Sequence, residues 1–105
     1  MADIMKIVRA AADKRILYSL HALDEMNAPD ELITKEEVRN VVYHGDLLEE
    51  YPEDKRGHSC LLMKITGAKR PVHVVCAPKD DYLAIITAYV PTLDRWDESY
   101  RVRRK

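Results

Sequence analysis

Four side chains in this sequence have the chemistry to move a proton or steady a phosphate: His73, Tyr89, Arg56 and His21. Imidazole titrates near neutral pH, so His73 and His21 can serve as general acid or base. The Tyr89 phenol can donate a proton or stack on a nucleobase, and the Arg56 guanidinium can grip a phosphate through paired N–H groups. Such groups can take up and return a proton beside a phosphate and steady the charge that develops on it. Each residue also has a plainer reading. His73 lies in the apolar run V-H-V-V-C, where a histidine paired to a neighbour fits as well. Tyr89 can be a packed ring with its hydroxyl at an edge. His21 opens a helical segment, where a neutral hydrogen-bonding imidazole suits the positive helix end.

Further cations could hold a polyanion. Residues 55–77 carry five Lys or Arg and no Asp or Glu, and the chain ends R-V-R-R-K. Lys64, Arg70, Arg101 and Arg103 are the candidates for RNA phosphate contacts, provided they converge on one face. A solvated basic surface is the plainer alternative. The acids sit elsewhere, eleven of them within residues 21–54. Seventeen Lys and Arg against eighteen Asp and Glu leave a net charge of -1. That balance is unlike a strongly basic nucleic-acid binder, and no DNA partner is expected.

A metal centre was weighed on H-x-C…H-x-x-C, formed by His58, Cys60, His73 and Cys76. The ligand types suit zinc. Regular strands, however, would place His73 and Cys76 on opposite faces. The five carboxylates between Asp46 and Asp54 read as a charged edge strand and turn. No metal and no cofactor is expected, since phosphate-loop, dinucleotide, zinc-protease and nucleophile-elbow motifs are all missing.

These residues need elements to position them. Ile4, Ile7, Val8 and Ala11 share one helical face over residues 3–12, with Asp3 as cap. Residues 15–19 read as a short strand or extended link. A brief helix over 21–26 follows, capped by Ser19. Thr34 and Glu37 make a capping box, Ile33 and Val38 a hydrophobic staple, and Gly45 is expected to close this third helix in a left-handed conformation. The hydrophobic period then drops to two. Strands are expected over 46–51, 59–65, 71–77 and 82–90. The register of the last hairpin stays open. Pairing Ala77 with Tyr82 puts His73 and Tyr89 on opposite faces, and a one-residue shift unites them. Residues 92–105 form a tail around Trp96.

Helices followed by strands argue for an α+β fold. N-terminal helices would pack on one face of an antiparallel sheet of about four strands. The 105 residues suit a single domain, 1–105. No apolar run approaches the ~20 residues of a membrane span, and no secretory leader is evident, so a cytoplasmic location with two reduced cysteines is expected.

One combination of short motifs carries a resemblance. His21-Ala22 comes first, then G-D-L-L-E-E-Y-P-E-D-K-R-G-H-S-C-L, P-V-H-V-V, and I-T-A-Y-V-P before Trp96 and a basic end. Over about residues 15–105 the chain resembles the bacterial domain-of-unknown-function family 4258. The resemblance implies a small α+β domain similar to the RelE and MqsR toxin superfamily, whose members are ribonucleases often paired with an antitoxin protein. It implies a site among His21, Arg56, Gly57, Ser59, His73, Thr87, Tyr89, Pro91 and Trp96. Here Asp24 and Glu25 follow His21-Ala22, where that family tends to be basic.

Three functions follow as expectations. One is a metal-independent ribonuclease acting on RNA, free or at the ribosome, and restrained by an antitoxin. The second is a non-catalytic protein-binding module on the same fold, with the tail around Trp96 as its contact. The third is another small-substrate enzyme using a pocket beside His73.

Overall fold

The computed structural model describes residues 3–104. In chain order they form α1 (Ile4–Lys14), β1 (Ile16–Tyr18), α2 (Leu20–Met26), α3 (Lys35–His44), β2 (Asp46–Tyr51), β3 (Ser59–Ile65), β4 (Pro71–Pro78) and β5 (Leu83–Tyr89).

The caps act as their residue types require. Asp3 accepts a hydrogen bond from Met5 N, and Ser19 accepts one from Ala22 N, each at 2.9 Å. At α3 the box is reciprocal. Thr34 Oγ1 accepts from Glu37 N at 3.0 Å, and Thr34 N donates to Glu37 Oε1 at 3.2 Å. Gly45 departs from expectation. Its φ of -80° and ψ of 171° are extended, not left-handed. A close approach explains the glycine instead: a Cβ there would lie 2.4 Å from the Val41 carbonyl oxygen and 2.9 Å from that of Met63.

The sheet order is β1-β5-β4-β3-β2. The sheet is therefore five-stranded and mixed, where four antiparallel strands were expected. The extra strand is the segment at residues 15–19, which pairs in parallel with β5. The β4–β5 pairing contains a bulge between Val75 and Cys76, which sets His73 opposite Tyr89. Neither regular register considered from the sequence has that pairing. One extra residue in β5 shifts the far half of the strand.

On one face, α1 and α3 cover β3, β4 and β5. Val8, Val38, Val41 and Val42 meet Cys60, Leu62, Val72, Val74, Cys76 and Ile85, all fully buried. Burying such side chains stabilises by about 1.5–3 kcal/mol each. Leu61, Met63 and His73 on the opposite face are also buried. Residues 92–104 lie over His73 and Met63 as a strap whose Trp96 and Arg103 form a small antiparallel bridge.

Arg70 ties the helical side together. Its Nε and Nη2 donate to Glu37 at 3.0 and 2.8 Å, and further donors reach the carbonyls of Glu31 and Leu32. Hydrogen bonding from Arg70 is the main reason that the Glu37 carboxyl is held down to about 2. Arg70 thus joins the β3–β4 turn to the start of α3 and to the loop before it. Replacing Arg70 by Ala leaves a mostly buried carboxylate without its partner. The Arg70→Ala variant is expected to lose about 2–3 kcal/mol in urea unfolding near neutral pH.

Candidate functional site

His73 stands in the middle of β4, on the face away from the helices, and is fully buried. Its Nε2 lies 2.7 Å from the Tyr100 carbonyl oxygen. A carbonyl only accepts, so Nε2 carries the proton and donates it. In the neutral ring Nδ1 then accepts from the Tyr89 hydroxyl, 3.2 Å away. Both ring nitrogens are occupied. Tyr100 takes a φ of 61°, and this left-handed turn aims its carbonyl at His73.

The ring is enclosed as well as bonded. The Trp96 indole meets His73 edge to face, with centroids 4.5 Å apart. The Arg103 guanidinium lies over the indole at 4.7 Å. Arg103 makes a two-pronged bond to Glu49 on β2, with Nε–Oε2 at 2.9 Å and Nη2–Oε1 at 3.1 Å. Tyr51 donates its hydroxyl to the same carboxylate. His73, Trp96 and Arg103 are therefore stacked outward from the sheet, and Glu49 on the neighbouring β2 holds the arginine. Trp96 is 2% exposed, which corrects the expectation of an exposed tail offering it as a contact.

This setting decides the protonation states. Burial lowers the His73 pKa to about 4, against the small opposing pull of the Tyr100 hydrogen bond. Burial raises the Tyr89 hydroxyl to about 12. At neutral pH both groups are therefore neutral, and each is a weak proton carrier. Burial works against the charge of Glu49, yet the hydrogen bonds from Arg103 and Tyr51 outweigh it and lower its pKa. The bond to Glu49 raises Arg103 in turn.

The other candidates lie elsewhere. His21 and Arg56 border an open groove of about 470 Å³ with Leu17, Tyr82, Lys79 and Ile86. His73 and Tyr89 do not line that groove. Arg56 grips Asp54 through Nε and Nη2 at 3.1 and 2.9 Å, and this bond is the main cause of the lowered Asp54 pKa. Lys64 and Arg101 border one shallow depression with Asp46, and Arg101 Nη1 donates to Asp46 at 3.0 Å. His58 bonds Glu50 at 2.8 Å. Of the five Lys and Arg in residues 55–77, Arg56 and Arg70 are thus paired with acids, and they stand at separate places. Arg70 serves the helical side and Arg103 serves the strap.

The cysteine–histidine set is also divided. Cys60 and Cys76 are free, buried and cross-strand neighbours on the helix face, with sulfurs 3.9 Å apart. His73 faces away from them. Among the described residues no group of three or more His, Cys, Asp or Glu is placed to hold a metal.

Sequence reasoning named His73 and Tyr89 but left open whether they share a face, and it missed Glu49, Tyr51 and Tyr100 around them, and Leu17, Lys79 and Tyr82 beside His21. A signal for the cover was present. Residues 60–63 and 74–77 are continuously apolar, and such runs mark strands buried on both faces.

The buried imidazole has a pH consequence. Its pKa is about 6.5 when unfolded and about 4 when folded, so the unfolded chain binds the proton more readily. The stability that depends on a neutral His73 is complete above pH 6.5. It is lost as pH falls from there toward 4, by at most on the order of 3 kcal/mol. Urea unfolding from pH 7.5 to 4.5 should reveal this slope. In His73→Gln the part due to this imidazole should disappear, leaving only the shallower carboxylate contribution.

The family model described as a domain of unknown function, DUF4258, matches residues 18–90. That stretch runs from the end of β1 through β5 and includes His21, Arg56, Lys64, Arg70, His73 and Tyr89. It is shorter than the resemblance over about 15–105. Helix α1 and the strap with Trp96, Arg101 and Arg103 lie outside it. Comparison with curated proteins and with solved structures found no match. Since residues 18–90 make up well over half of the 105, the chain belongs to the DUF4258 family.

Proposed function

We propose that this protein is a non-catalytic module that recognises another protein. One observation carries the reading: His73, the residue best suited to proton transfer, is buried with both ring nitrogens bonded. A general base must reach the proton it takes, and a pKa near 4 leaves it a poor acceptor at neutral pH. The cations that would steady a phosphate are also committed, Arg56 to Asp54 and Arg103 to Glu49. Two reduced thiols in the core fit a reducing compartment, and we place the protein in the cytoplasm on that ground. Among the described residues no helix is long and apolar enough to cross a membrane.

A second reading has one observation in its favour. An imidazole and a phenol stand side by side under a strap that carries an arginine. If the strap moves aside, that trio supplies the base, acid and cation of a RelE- or MqsR-like ribonuclease, and an antitoxin would be its restraint. In the closed arrangement those groups are spent on one another, so the binding module is the better-supported reading.

Inducing the protein alone in a bacterial host separates the two. We expect unaffected growth and intact total RNA, with no change in folded His73→Ala or Tyr89→Ala variants. Arrested growth with fragmented messenger RNA, relieved by either substitution, would overturn the binding-module reading.

A further inference from the structure

The two edges of the sheet differ. Strand β2 forms one edge. It reads D-L-L-E-E-Y, carries a bulge between Leu47 and Glu49, and is crossed by Arg101, Arg103 and His58. Charge and bulges of this kind prevent a further strand from adding. Strand β1 forms the other edge and reads I-L-Y, with no charge and no bulge. Leu83 N donates to Arg15 O, and Ser19 N donates to Ile85 O. The Arg15 C=O and the Ser19 N–H therefore face β5, and the Leu17 groups between them face the same way. By the alternation of a parallel ladder, Ile16 and Tyr18 turn theirs outward. Strand β1 ends the sheet, so no further strand lies on the side to which these groups turn.

Beside this open edge lies the groove of about 470 Å³. Leu17, Ala84 and Ile86 give it an apolar wall, and Leu17 is 42% exposed. Leu20, three residues further on, is 81% exposed. The charged or titratable nitrogen groups on the groove are His21, Arg56 and Lys79, and no Asp or Glu lines it. That is unusual for a chain in which acids outnumber Lys and Arg. The Arg56 bond to Asp54 uses Nε and Nη2, leaving Nη1 outside that pair.

We propose that an extended peptide from another protein adds to β1 as a sixth strand, placing an apolar side chain in the groove and a carboxylate against Lys79. This rests on the binding-module reading and names its surface and its partner class. Backbone bonds to Ile16 and Tyr18 would supply affinity in any sequence, and the groove and its bases would select an acidic, apolar one.

The test uses the intact protein and a displayed library of random twelve-residue peptides as probe. Enriched peptides should alternate apolar residues and carry Asp or Glu. Lys79→Glu should weaken the best of them at least ten-fold, as should Leu17→Lys. Leu20→Lys, at a site too exposed to affect folding, should also weaken it. N-methylation of alternate peptide residues should abolish binding, while N-methylation of the intervening ones should not. Enriched peptides indifferent to these substitutions would overturn the β1 surface and leave the module reading intact. A short RNA oligonucleotide that displaces the peptide from the groove would overturn the peptide class. No enrichment at all would overturn the proposal, and RNA fragmentation on induction would remove the module reading beneath it.

Discussion

A strand that is apolar on both faces needs two covers. Strands β3 and β4 are such strands. Helices α1 and α3 cover one face, and the other is left with Leu61, Met63 and a histidine to remove from water. Over His73 and Met63, residues 92–104 meet that need without a helix or a further sheet strand. Trp96 brings the apolar area, and the Tyr100 carbonyl brings the acceptor that a buried imidazole requires. The burial of His73 and its neutrality both follow from this one packing arrangement.

The ion pairs on top have a different weight. Arg101–Asp46 and Arg103–Glu49 join the strap to β2, and their arginine side chains are about half exposed. Pairs in such positions contribute from about zero to 1 kcal/mol each and weaken with salt. Burial of Trp96 and the satisfied bonds of His73 hold the strap more firmly than its charges do. The charges do settle where the basic tail goes. Arg101 and Arg103 of the basic tail turn back onto Asp46 and Glu49 of the acidic segment.

Much of the helical half was legible because its signals are local. Asp3, Ser19 and the Thr34–Glu37 box each depend on residues within one turn, and each cap forms as read. The four longer strands were legible from composition. The fifth was legible only as an alternative, a short strand or an extended link over residues 15–19, because β1 has three residues and its pairing with β5 makes it a strand. The His73–Tyr89 register was not legible either. It depends on a bulge, and a bulge is set by packing across the sheet. Gly45 was read as a conformational glycine, yet it answers to the crowding of two carbonyl oxygens from other segments. The candidate site divided for the same reason. His21 and Arg56 look like partners of His73 along the chain, and only the tertiary fold places them around a separate groove.

The central claim is that the strap closes the second sheet face over His73. Diethyl pyrocarbonate, which acylates accessible neutral imidazoles, tests it directly. His21, His44 and His58 are exposed and His73 is buried. Mapping the modified peptides by mass spectrometry at neutral pH should show those three reacting quickly in the folded protein. His73 should react only after denaturation. If His73 is acylated in the folded protein as fast as the other three, the strap does not close the site, and the account built on its closure is wrong.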